Sequence, residues 1–172
     1  MATRPPMRRS VARPVRGSGA LRGAVIGLVW AYGAVFVLGM VLNLFVTLPE
    51  KHPGAGGAEY FGASGMSLIW ALSLGGGWAL FLHAAMGVLL ALATLTVFLG
   101  SLYRGGWGWR WITGIAALFT IGAAFNGLSF LDYGEDFSSA IMAGCWLIAV
   151  GALVSGLVRS QPARDRAARG EL

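Results

Sequence analysis

Charged side chains leave four long gaps along this chain, and the gaps set its expected architecture. No charged residue falls between Arg22 and Glu50, between Glu59 and Arg104, between Arg110 and Asp132, or between Asp136 and Arg159. A helix needs about 20 apolar residues to cross roughly 30 Å of hydrocarbon. Backbone groups in lipid must bond within their own segment, so each gap is expected to hold helix. No stretch alternates with the period of two that a membrane barrel would show.

Three gaps accommodate one span each. The second, from Tyr60 to Tyr103, is too long for one, and charge decides how it is divided. Four spans put Arg4, Arg8, Arg9, Arg13, Arg16 and Arg22 on one side, together with Arg104, Arg110, Arg159, Arg164, Arg166 and Arg169. Only Lys51 then faces the other way. An excess of basic residues marks the cytoplasmic side, whereas a fifth span would carry Arg104, Arg110 and the basic tail outside. The expected fold is therefore an all-α membrane bundle with both termini inside. Its spans are expected near 23–48, 78–103, 111–131 and 137–158, giving a membrane domain over 23–158. An external helix, re-entrant or surface-lying, is expected over 60–76, broken from the second span by Gly75-Gly76-Gly77. Trp107, Trp109 and Trp111, beside Arg104 and Arg110, suit an interfacial aromatic belt.

Composition agrees with this layout. Hydrophobic residues make up 56% of the 172, charged residues only 12%, and mean hydropathy is +0.69, so a water-facing surface could not be covered. The single cysteine, Cys145, excludes an intrachain disulfide. The basic balance (isoelectric point near 10.5) resides in the tails, 1–22 and 159–172, which read as disordered, and not on a nucleic-acid-binding face. Those arginines orient the chain and suit anionic lipid at the inner leaflet. The first apolar stretch is longer than a cleaved signal's core and reads as an anchor.

No phosphate loop, paired-cysteine zinc pattern or His-Glu-x-x-His motif is present. The candidates are instead the polar residues within the spans, which are costly in lipid. Asn43, His83 and Asn126 each lie five residues from an expected outer span end, about 7–8 Å deep. Each has a glycine one turn deeper, Gly39, Gly87 and Gly122, which suggests a shared interior layer. Ser138 and Ser139 are placed to close that ring, and Asp132, Glu135 and Asp136 to form an acidic rim above it. Packing between helices accounts for the asparagines equally well. Met40, Met86 and Cys145 form a deeper layer, about 12 Å down, where sulfur with His83 suits copper or haem iron. Plain core packing is the alternative there too. His52 reads as an incidental loop residue.

The stretch Asn126-Gly-Leu-Ser-Phe-Leu-Asp-Tyr-Gly-Glu-Asp-Phe-Ser-Ser-Ala-Ile-Met-Ala resembles a segment of small, uncharacterised four-span integral membrane proteins of high-GC bacteria. Twelve arginines against one lysine suit such a source. The resemblance implies a four-span fold and carries no activity or site residue with it.

Two functions are expected from these residues. One is a non-enzymatic accessory or small binding bundle in the inner membrane, with a polar site near the outer face. Its partners would be lipid, other membrane subunits or a second copy. The other is a redox or proton-handling protein using His83 with haem, quinone or copper.

Overall fold

The computed structural model describes residues 18–134, 136–168 and 170. Among these it contains five helices: α1 (Ser18–Phe45), α2 (Tyr60–Leu72), α3 (Gly77–Arg104), α4 (Trp107–Tyr133) and α5 (Asp136–Ala168). Four of them are long and apolar enough to cross a membrane, and the short α2 precedes the second. The protein is a multi-pass, all-helical membrane bundle.

Glycines make the sharp reversals. Gly134 closes α4 in the left-handed region (φ 67°), and its N–H donates to the Phe130 carbonyl at 2.8 Å. An L side chain is disfavoured at that φ, so glycine suits the turn into α5. Only Gly105 and Gly106 separate α3 from α4. Short turns force neighbouring spans to run antiparallel. Contacts link α1 to α3, α3 to α4, α4 to α5 and α5 back to α1, which closes a ring of four.

Several boundaries differ from expectation. The tail after 158 was expected to be disordered, but α5 continues to Ala168. Alanine, arginine and glutamine favour helix, and a span already nucleated extends at little cost. Likewise α1 begins at Ser18 instead of Gly23, and it ends at Phe45 instead of Leu48. Of the expected tail over 1–22, residues 1–17 lie outside the described residues.

The apolar core occupies the half of the bundle near Arg22 and Arg159. There Val25, Leu28, Leu90, Ala116, Ala149 and Leu153 are buried together with Tyr32. The tyrosine is the polar hub of the interior. Thr120 donates its hydroxyl to the Ala116 carbonyl at 2.6 Å, so Tyr32 must donate to Thr120 and accept from Thr94, at 3.2 Å. Trp146 Nε1–H donates to the Tyr32 carbonyl at 3.0 Å. One residue of α1 thereby reaches α3, α4 and α5, crossing the diagonal of the ring. Nearer the tails, Ser101 and Thr113 share a buried hydrogen bond of 2.8 Å between α3 and α4.

At the opposite end the chain forms a cap. Residues 46–59 and α2 cover the ends of α3 and α4. Helix α2 buries Ala63, Ser64, Ser67 and Ala71, and leaves Phe61, Met66 and Ile69 exposed. Its start is capped by Glu59, whose carboxylate accepts from the Gly62 N–H at 2.7 Å. Its end turns through Leu74, which takes φ 65° where glycine is usual, and Gly75 N–H donates to the Trp70 carbonyl at 3.0 Å. A Cβ on Gly75 would overlap the Trp70 ring. The glycine run therefore does more than interrupt a helix, because it also makes room for that indole.

Candidate functional site at the cap end

The cap is held together by polar groups that converge on the last turn of α4. His52, in the loop after α1, donates from Nε2 to the Leu131 carbonyl at 3.0 Å and stacks on Trp70 at 4.3 Å. Gly56 N–H donates to the Asp132 carbonyl at 2.9 Å. The Tyr133 hydroxyl donates to the Gly57 carbonyl at 3.3 Å, and Tyr60 donates to the Phe125 carbonyl at 3.0 Å. Ser67 donates to the Pro53 carbonyl at 3.3 Å. Two helix ends and a glycine-rich loop are thus fastened without a described ion pair. The loop passes close over α2 at Gly54 (φ 99°), where any side chain would run into Ser67 and the Ala63 carbonyl.

Asp132 sits beneath this loop and is only 4% exposed. The Ser64 hydroxyl donates to its Oδ2 at 2.5 Å, while its Oδ1 is buried without a hydrogen-bond partner among the described residues. A buried carboxylate is expensive unless its charge is answered. An open groove of about 430 Å³ lies between the loop at Gly54–Glu59 and the α2 residues Gly62, Ala63 and Met66.

The expected acidic rim is corrected by this placement. Asp132 belongs to α4, not to a loop, and its side chain turns inward under α2. Glu135 and the Asp136 side chain lie outside the described residues. Ser138 is buried and Ser139 half-buried at the start of α5.

The expected layer of Asn43, His83 and Asn126 does not form a hydrogen-bonded cluster. Asn43 is exposed. Asn126 donates to the Gly122 carbonyl of its own helix at 2.9 Å. His83 packs edge-on against α1, with its Cε1 3.0 Å from where a Cβ on Gly39 would stand and the Val35 backbone beside it. Its Nδ1 is buried and unpartnered. Equal depth put the three in one layer, but depth leaves direction around each helix open. The glycine offsets were informative across helices only: Gly39 receives His83, and Gly122 faces Cys145 at 3.2 Å.

The sulfur layer is also dispersed. Met40 is 42% exposed, while Met86 and Cys145 are half-buried. Among the described residues, no three of His, Cys, Asp and Glu come together as metal ligands. His83 turns its Cε1 towards Gly39 across the α1–α3 seam, so the ring is engaged with α1 and not with the sulfur-bearing side chains. These residues do not fit either group.

Sequence reading missed Tyr32, Ser64, Ser67 and His52 as organising residues. A signal was present for two of them: Ser64, Ser67 and Ala71 recur at helical spacing and mark one small, polar face of α2. The chain matches no protein-family profile, no curated protein and no solved structure.

Proposed function

We propose that the protein is a non-enzymatic binding bundle of the inner membrane, with its ligand site in the cap. The observation that supports this reading best is Asp132, buried with one unanswered carboxylate oxygen under a loop fastened to both α2 and α4. Such a group is costly to retain, and a ligand that answers it gives the cost a purpose. Orientation follows from the basic residues: both termini lie inside and the cap faces out. The resemblance to small four-span bacterial proteins is in keeping with this, as is a role beside other membrane subunits or a second copy.

The redox reading rests on the buried, unpartnered Nδ1 of His83, and the packing of that ring on Gly39 weighs against it. An absorption spectrum of the protein purified in mild detergent separates the two. The binding reading expects no Soret band and identical spectra for wild type and His83→Asn. A Soret band that His83→Asn abolishes would overturn it.

A further inference from the structure

We propose that the cap site holds a small monovalent alkali cation, bound by Asp132 with the hydroxyl oxygens of Ser64 and Ser67. This inference rests on reading the cap as a binding site, and it names the chemistry of the ligand. The first argument is charge. Among the described residues the Asp132 carboxylate accepts one hydrogen bond, from a neutral hydroxyl, and its Oδ1 has none. The other acids of the cap, Glu50 and Glu59, are both exposed, and Glu59 already caps α2 through the Gly62 N–H. The site therefore offers one negative charge. A monovalent cation neutralises it, whereas a divalent ion would leave a buried positive charge in its place.

The second argument is the donor set. Ser64 and Ser67 lie three residues apart, on one face of α2, and both are buried. Each hydroxyl has already committed its proton, Ser64 to Asp132 and Ser67 to the Pro53 carbonyl. Each therefore keeps oxygen lone pairs for a cation and no proton to repel it. Carboxylate, hydroxyl and backbone carbonyl oxygens are hard ligands, suited to alkali and alkaline-earth ions and not to soft metals. The third argument is the cover. The loop over Asp132 is tied to it by the Gly56 N–H, and at Gly54 it passes so close to the Ser67 hydroxyl that any side chain there would overlap it.

Thermal unfolding in mild detergent tests this at constant pH and ionic strength, in sodium, potassium or N-methylglucamine chloride. Wild type is expected to gain a saturable rise in midpoint in sodium or potassium. Asp132→Asn should lose the ion response and, in N-methylglucamine, melt no lower than wild type, because the unanswered charge is gone. Ser67→Ala keeps the carboxylate and should shift the half-effect concentration upward several-fold, so the test survives if Asp132→Asn fails to fold. Equal midpoints in all three salts would overturn the proposal, as would an ion response retained in Asp132→Asn. Stabilisation by calcium alone, or by acid alone, would also overturn it. The outward cap fails separately: a cysteine at Ala58, with Cys145 replaced by Ala, would then resist an impermeant maleimide in intact cells.

Discussion

The Ser64 hydroxyl donates to Asp132 Oδ2 at 2.5 Å, which ties the short helix α2 to the last turn of α4. Both residues are nearly inaccessible, at 4% exposure each, so neither finds a replacement partner in solvent. Ser64→Ala is expected to cost about 1–3 kcal/mol, the penalty for stranding a buried polar group. Adding Asp132→Asn should recover part of that loss, because the stranded group is then neutral. Unfolding of the four proteins of this double-mutant cycle, titrated with denaturing detergent, checks the coupling. Simple additivity would mean that the two residues do not act together.

Tyr32 gives a prediction that separates hydrogen bonding from packing. Interhelical hydrogen bonds within membranes average about 0.6 kcal/mol, so Tyr32→Phe should be mild. Tyr32→Ala empties a fully enclosed position against Leu90, Ala116 and Leu153 and should cost about 3–5 kcal/mol. The same detergent titration distinguishes these outcomes. Comparable losses from both variants would show that the hydroxyl, and not the ring, carries the stabilisation.

Gly39 and Gly27 lie on one helix in opposite surroundings. A Cβ at 39 meets the His83 ring at 3.0 Å, while a Cβ at 27 meets nothing within 4 Å. Gly27→Ala should be neutral or stabilising by up to about 1 kcal/mol, through helix propensity. Gly39→Ala should lie about 1–3 kcal/mol below it, since the enclosed ring has to move. Equal stabilities would place His83 away from α1.

How far the fold could be read ahead follows from what each signal measures. Gaps between charges measure length, and together with the basic-residue bias and the glycine run that divided the second gap, they placed the spans near Gly77–Arg104 and Trp107–Tyr133 within a few residues. Direction around a helix is a different quantity. Within uniformly apolar spans no polar face marks it, so Asn43, His83 and Asn126 shared a depth without sharing a contact. Tyr32 was passed over for the same reason. Its two threonine partners lie 62 and 88 residues away, and no local pattern joins them. Asp132 looked like a loop acid because the apolar run ends at Leu131, but α4 continues to Tyr133 and carries the carboxylate inward.

Leu74 offers a gain instead of a loss. It holds φ 65° with its side chain 55% exposed, so it bears left-handed strain and contributes little packing. Leu74→Gly should stabilise by about 1 kcal/mol, the usual difference in that region. Gly75→Leu, one residue on, should instead displace Trp70 and loosen its stack on His52. Thermal midpoints of the two variants should move in opposite directions. A fall for Leu74→Gly would mean that the exposed leucine is held by something outside the bundle.

The proposed outward orientation of the cap is tested most directly by cysteine accessibility in intact cells, with Cys145 replaced by Ala. Cysteines at Ala58, in the cap, and at Ser160, on α5, report opposite ends of the bundle. Ala58→Cys is expected to react with an impermeant maleimide at once, and Ser160→Cys only after the membrane is permeabilised. Prompt labelling of Ser160→Cys with protection of Ala58→Cys would turn the bundle over and contradict a cap site that faces out.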